Sequence, residues 1–385
     1  KLFILISFSI SILFSSWNIL NYPDNVSISE ITGDNSGIYV SSFNGFYNSI
    51  DDGQNWNILP NNEHIITYYG LNLFKKVNNY LFVSQLISQE EFYNYRIYYD
   101  GNNWSDWELI PYQNSVLMDL VYSNDAIYSI LDGNIAYSSD FGLNWTFLIS
   151  PPIDNYINLL LFDNGYLYIK HNCDIYRTNN MGEDWEYVTG EIINIGPPPP
   201  YGCVDIMDIV NFKDSLVISV YWYGGVGTLL YSDNEEINWT FIDTFPSLHQ
   251  SGYYYNNISK IEPKYDVLYL GTATSSDGLY YTEDLLNFHD YSDGLNDYDL
   301  SVSTLISSAN FLYKQGGTIN FFQRELMILD YQDGDLNQDE IINIQDVIII
   351  INYILNSDFD EGIDLNNDQI IDVLDIIYLI SIILE

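Results

Sequence analysis

Basic side chains are scarce in this chain: 11 lysines and arginines stand against 53 aspartates and glutamates, a formal charge of −42. So acidic a surface repels phosphate backbones and anionic lipid, which excludes nucleic-acid binding, and it favours divalent cations and salt. Cysteine occurs twice and histidine four times. There is no C-x-x-C pair, and His64, His171, His249 and His289 are scattered, so zinc and nucleophilic chemistry have nothing to build on. Long apolar runs are also missing, since a membrane helix needs about 18 such residues in a row. The nearest approach is KLFILISFSISILFSSW at residues 1–17. One basic residue followed by that run suits a signal-peptide core of about 7–15 apolar residues. It predicts a leader over residues 1–16, cleaved near Ser15 or Ser16, and an exported mature chain with no membrane span. A buried first strand is the alternative. In an exported protein Cys173 and Cys203 read as a disulfide closing a loop that contains Pro197 to Pro200, with two buried thiols as the alternative.

What the chain has is repetition. Ser49-Ile50-Asp51-Asp52-Gly53-Gln54-Asn55-Trp56 and Ser138-Ser139-Asp140-Phe141-Gly142-Leu143-Asn144-Trp145 share the pattern S-x-D-x-G-x-N-W. Thr178 to Trp185 keeps the hydroxyl, the glycine and the tryptophan, with Asn180 for the aspartate. Ser232 to Trp239 and Thr282 to Phe288 are eroded copies, and Asp100 to Trp107 is a looser one. Each predicts a hairpin corner. The hydroxyl and carboxylate accept from turn amides, the glycine supplies φ > 0, and the tryptophan starts the next strand with a large apolar group to bury.

The aromatic marker falls at 56, 107, 145, 185, 239 and 288, with steps of 51, 38, 40, 54 and 49 residues. Such steps fit the blades of a β-propeller with loops of variable length. A second signature precedes each corner, a strand carrying a pair such as Ile38-Tyr39, Leu81-Phe82, Ile127-Tyr128, Leu167-Tyr168, Val217-Ile218, Leu268-Tyr269 or Leu312-Tyr313. That makes seven pairs against six corners. The missing outer strand has a candidate, because Trp17-Asn18-Ile19-Leu20 echoes Trp56-Asn57-Ile58-Leu59. The expectation is therefore a mainly β fold with a seven-bladed propeller over residues 17–330, closed between its two ends, and six blades as the alternative. Aligned on the pairs, Glu30 and Asp119 occupy matching inner-strand positions and Asp208 stands one step off. These three are the candidate acid, base or ligand-binding groups of the channel. Solvated channel-lining carboxylates without catalysis are the alternative.

The corner motif resembles the Asp-box, or BNR, repeat of sialidases, sortilin-type propellers, xyloglucanase-type glycosidases and photosystem assembly-factor-like propellers. The resemblance implies that the box holds a blade corner on the side away from any active site. A sialidase activity does not follow, because that family clamps a carboxylate with three arginines and this chain has only Arg96, Arg177 and Arg324, none in the expected context.

After Leu329 the texture changes. No basic residue follows Asp333, and one pattern occurs twice, 29 residues apart. Oxygen-bearing side chains fall at positions 1, 3, 5, 9 and 12 of each loop, the spacing of an EF-hand calcium loop whose position 7 offers a carbonyl. Each loop leads into an apolar run of helical length. Val347 to Ile351 is β-branched and reads as a strand by propensity, but loop context favours helix entry. The pair resembles a type I dockerin over residues 331–385, which implies two Ca²⁺ sites and docking to a cohesin on a scaffold or cell surface. By matching positions the ligands are Asp335, Asn337, Asp339, Ile341 (carbonyl), Asn343 and Asp346, then Asp364, Asn366, Asp368, Ile370 (carbonyl), Asp372 and Asp375. Two departures stand out. The glycine usual at position 6 is Glu340 and Gln369, and the family's polar partner-reading positions are Ile344-Gln345, Ile351-Asn352, Val373-Leu374 and Ile380-Ser381.

These readings imply an exported protein that binds or displays a glycan or protein ligand and is attached through its C-terminal domain to a cohesin-like or other surface scaffold partner. The alternative is a glycoside hydrolase acting on polysaccharide through a carboxylate pair, since the dockerin resemblance implies company with such enzymes.

Overall fold

The computed structural model describes residues 16–20, 22, 28–42, 44–60, 65, 71–88, 91–111, 115–149, 151, 157–163, 165–171, 174–189, 204–213, 215–222, 226–233, 237–242, 258–273, 278–316, 318–326, 336, 344–356, 363, 365 and 370–383. The leader expected over residues 1–16 falls outside them except for Ser16, and so do Cys173 and Cys203. The chain divides into two compact units, Lys1–Leu326 and Met327–Glu385.

The first unit is a seven-bladed β-propeller. Its described strands form seven four-stranded antiparallel sheets. Blade 1 runs Ile28–Asp34, Gly37–Ser42, Gly45–Ser49 and Asn57–Ile58 from the inside out. The inner strands of blades 2 to 7 are Leu71–Val77, Leu117–Ser123, Ile157–Asp163, Val204–Phe212, Ile258–Lys264 and Thr304–Ser307. Each inner strand contacts the next, and that of blade 7 contacts that of blade 1, so the ring is closed. The core lies between blades. Ile38 and Val40 of blade 1, for example, share a buried cluster with Tyr313 and Phe321 of blade 7. This is how a radial array buries both faces of every sheet and leaves only short edges.

Blade 7 completes itself with the other end of the chain, as the Trp17–Leu20 echo predicts. Asn18–Ile19 pairs antiparallel with Phe322 and Gln323. The equivalence reaches single bonds. The Leu20 amide donates to the Phe321 carbonyl at 2.8 Å, and the Leu59 amide donates to the Phe46 carbonyl at 2.8 Å. Trp17 Nε1 donates to the Tyr291 carbonyl of blade 6 at 2.6 Å. Trp107, Trp185 and Trp239 reach Pro60, Ile149 and Val188 of their preceding blades in the same way.

The corners are held as their residue types predict. Ser49 Oγ accepts from the Gly53 amide at 2.8 Å, and Asp51 Oδ1 accepts from Ser49 Oγ and the Asn55 amide, each at 2.8 Å. Ser138, Asp140, Gly142 and Asn144 repeat the arrangement. With Thr178 and Asn180 it survives a change of both side chains. One feature differs from expectation. The glycine is not alone in the left-handed region, because Asp52, Phe141 and Met181 just before it have φ of 55°, 54° and 59°, and Leu285 has φ of 60° in a corner without the glycine. That backbone is costly for a side chain, by about 1 kcal/mol or more, and it aims the residue at the preceding blade. Phe141 stacks on Tyr80 at 4.6 Å. Asp52 accepts from Ser308 Oγ at 2.7 Å, Tyr313 OH at 3.0 Å and Asn310 Nδ2 at 3.1 Å, across the closing seam.

The second unit contributes the two helices of the described residues, α1 (Ile344–Asn356) and α2 (Val373–Ile383). The β-branched run Val347 to Ile351 is helical. Val347, Ile350, Ile363 and Leu379 form its buried core. No helix among the described residues is long and apolar enough to cross a membrane.

Candidate functional sites: the channel wall and the acidic loops

Six inner strands carry a bulge near their N-terminal end, with register shifts at Ile28/Glu30, Leu71/Leu73, Met118/Leu120, Ile157/Leu159, Ile206/Asp208 and Ile258/Lys260. A bulge turns one residue out of the ladder and re-aims its neighbours. The candidate acids stand at these bulges. Measured from the hairpin pairs Asp34↔Gly37, Ser123↔Ala126 and Phe212↔Ser215, Glu30, Asp119 and Asp208 occupy the same position. Asp208 is therefore not one step off. The blade 5 counterpart of Ile38-Tyr39 is Leu216-Val217, which lacks an aromatic marker inside the aliphatic run Leu216 to Ile218. Asp119 differs in that the bulge falls on it, and its φ is 48°.

Asp208 does not project freely. Its carboxylate accepts from the Ile209 amide and, across the seam to blade 6, from the Ile261 amide, each at 3.1 Å, with Lys260 Nζ at 3.9 Å. Burial pushes this carboxyl up, against the pull of Lys260 and the two amides, and Asp119 adds to the upward push. Asp119 accepts from Lys75 Nζ of blade 2 at 3.1 Å and from the Leu120 amide at 2.8 Å. Glu30 keeps solvent-accessible surface, yet protein on its flanks desolvates its carboxyl and raises it. Glu30 is thus exposed at its tip and flanked by protein on an innermost strand of the ring.

A fourth acid went unnoticed in the sequence. Glu262 lies on the inner strand of blade 6 and accepts from Ser307 Oγ of blade 7 at 2.7 Å. Burial pushes its carboxyl up to about 7, Asp208 pushes the same way, and Ser307 and Lys264 oppose. Nothing local marks it, since Ile261-Glu262-Pro263-Lys264 reads as an ordinary polar strand end. The wall thus combines one carboxyl near its midpoint at neutral pH with neighbouring carboxylates tied to lysines, an arrangement that can hydrogen-bond hydroxyls or exchange a proton. Among the described residues no group of three or more metal-binding side chains is assembled.

In the second unit most expected ligands, Asp335, Asn337, Asp339, Ile341, Asn343, Asp364, Asn366 and Asp368, lie outside the described residues. Of the others, Ile370 is exposed and Asp372 half-buried, while Asp346 and Asp375 are fully buried. Asp346 Oδ1 accepts from the Leu336 amide and Asp375 Oδ2 from the Asp372 amide, each at 2.8 Å. Each stands in the first turn of its helix and accepts from an amide that precedes the helix, so the two are tied at one carboxylate. Both carboxylates are buried, next to Val347 and on the same helix as Leu379, in a unit whose sequence has no lysine, arginine or histidine after Asp333.

No protein-family profile and no curated protein matches the chain. Solved structures do. The extracellular domain of a putative one-component system from B. thetaiotaomicron is similar at 11% identity and a TM-score of 0.54, over 80% of this chain and 40% of that one. An ancestral GH74 enzyme is similar at 15% identity and a TM-score of 0.53, over 80% of this chain and 46% of that one. A computationally designed protein, Ika8, is similar at 11% identity and a TM-score of 0.50, over 80% of this chain and 99% of its own. The chain spans less than half of the first two. At these identities the likeness is one of fold, and it is the fold of the first unit.

Proposed function

We propose that the chain is an exported Asp-box propeller that binds or displays a glycan or protein ligand, and that its second unit is a dockerin-like module which takes two Ca²⁺ ions and attaches it to a scaffold partner. The observation that carries the second half is the pair Asp346 and Asp375, buried at equivalent points of two loop–helix repeats 29 residues apart. Calcium in the loops would compensate those carboxylates and link loop order to helix packing. Calorimetric titration of the chelated chain with Ca²⁺ tests it: two sites are expected, and both should vanish in Asp335→Ala with Asp364→Ala. No heat on adding Ca²⁺ would refute the reading.

A second reading has its own observation in the channel wall. Burial raises Asp208 as well as Glu262, and the charge of Asp208 pushes Glu262 further up, to about 7, so two neighbouring acids of the kind glycoside hydrolysis pairs stand on this wall. In that case the propeller is a hydrolase of polysaccharide, and a screen for reducing-end release would be positive and would lose its signal in Glu262→Gln and in Asp208→Asn. Glycan-array binding without turnover supports display instead.

A further inference from the structure

The loop Ser292–Ser303 joins blade 6 to blade 7. At its start the Trp17 amide donates to the Asp293 carbonyl at 2.9 Å. At its end the Val302 and Ser303 amides donate to the Thr272 and Gln315 carbonyls, each at 2.7 Å, and the Val302 carbonyl accepts from Ser259 Oγ at 2.6 Å. Gly271 and Gly316 leave room for this approach, since a Cβ on either would strike Val302 or the Ser301 carbonyl. Beneath the loop stands a lysine with no exposed surface, Lys314 on the second strand of blade 7. Its Nζ donates to the Asp299 carbonyl and to the Ser301 carbonyl, the latter at 3.1 Å, and lies 5.2 Å from the centre of the Phe322 ring. The loop carries Tyr298, 79% exposed, and enters the inner strand of blade 7 at the end nearer which Glu30 and Asp119 stand on theirs.

We propose that Asn296 to Ser303 is a lid latched by Lys314, which lifts from the seam of blades 6 and 7 when water reaches the ammonium. A buried ammonium is held closed at a cost, because two carbonyls and a ring replace its full hydration. Burial lowers its proton affinity to about 8, and Asp299 on the loop, itself buried, opposes that shift. Asp299 is the charged group that faces it; Leu305 beside it on the inner strand and Phe322 on the third strand do not titrate. Two hydrogen bonds need two hydrogens, and a neutral amine has them, so loss of the proton removes the desolvation and keeps the latch. In the lifted state the amine is in water and returns toward 10.5. Below about pH 8 both states are charged and lifting is easiest. From there toward 10.5 only the lifted state is charged, so each pH unit makes lifting about tenfold rarer. That window lies above the titration of Glu262 at about 7, whose partner Ser307 ends the strand that follows the loop. The lid rests on these contacts alone and stands whatever the propeller binds.

Amide hydrogen exchange of the full chain between about pH 8 and about 9.5 tests it. The Val302 and Ser303 amides report, because their acceptors lie outside the loop. After division by the intrinsic rate, their exchange should slow about tenfold across the window, with no such slope in the strands of blade 1. Lys314→Met cannot take up a proton and Lys314→Arg cannot lose one, so each should abolish the slope. Wild-type exchange that stays flat or quickens with pH, a slope shared by every blade, or a slope that survives in either variant would each overturn the proposal. If the methionine variant does not fold, the wild-type slope and the arginine variant decide it.

Discussion

If the ring is closed by Trp17 and the two residues after it, then Trp17→Ala should open it. The indole is 3% exposed, it stands edge-on to Tyr291 at 6.1 Å, and the Trp17 amide donates to the Asp293 carbonyl at 2.9 Å. Truncating a buried aromatic to alanine costs about 3–5 kcal/mol. The strand it begins contributes only Asn18 and Ile19 to the ladder, so the loss exceeds what the rest of the segment can hold and the segment should detach. Trp17→Phe keeps most of the ring and loses the Nε1 bond. Its cost should stay near the lower end of about 0.5–1.5 kcal/mol, because the Tyr291 carbonyl still accepts from Arg324 Nη1 at 2.7 Å. Urea unfolding of wild type and both variants measures the difference, and limited proteolysis should cut the alanine variant first before residue 22. An alanine variant within about 0.5 kcal/mol of wild type would refute the closure argument, since that is the range of a surface substitution.

Other outcomes follow from single observations. Asp52→Ala should destabilise by about 1–3 kcal/mol because it leaves the Tyr313 hydroxyl buried without its acceptor, whereas Asp52→Asn, which keeps an acceptor and tolerates positive φ, should cost less in the same melt. Glu262 has a folded-state affinity above its ordinary 4.5, so the folded chain holds the extra proton; stability should fall as pH rises from about 4.5 through about 7, and a melting series should show Glu262→Gln flattening that slope. Asp51 is shifted the other way, held below the usual carboxylate range by hydrogen bonds from Asn55 and Ser49. Its contribution is present above about pH 4 and lost as acid titrates it, so Asp51→Asn should lose less stability than wild type on acidification. On the proposed calcium reading, a chelator should reduce helical circular dichroism of the full chain, and Asp335→Ala with Asp364→Ala should mimic the chelator.

The parts of this protein legible in its sequence share a short reach. A corner such as Ser138 to Trp145 closes its own hydrogen bonds within seven residues, so the residue types alone announce the turn. The echo of Trp56–Leu59 in Trp17–Leu20 predicted the seventh outer strand because strand pairing reads the same alternation wherever it occurs. The helix over Val347–Ile351 was readable against its β-propensity only because a loop of fixed spacing precedes it. Where the markers thin, the sequence misleads: Leu216 to Val220 holds no aromatic, so the repeated pairs place blade 5, and Asp208 with it, one residue out.

The repeated corners, the strand that closes the ring and the two C-terminal helices were thus determined by the order of the residues. What the tertiary structure decided is which groups meet across seams. Asp52 and Tyr313 are 261 residues apart, and the left-handed backbone that brings them together is visible only once neighbouring blades are in place. Glu262 is an ordinary glutamate until Ser307 of the next blade and the wall around it remove its water. Desolvation and seam contacts depend on neighbours distant along the chain, and no local pattern encodes them.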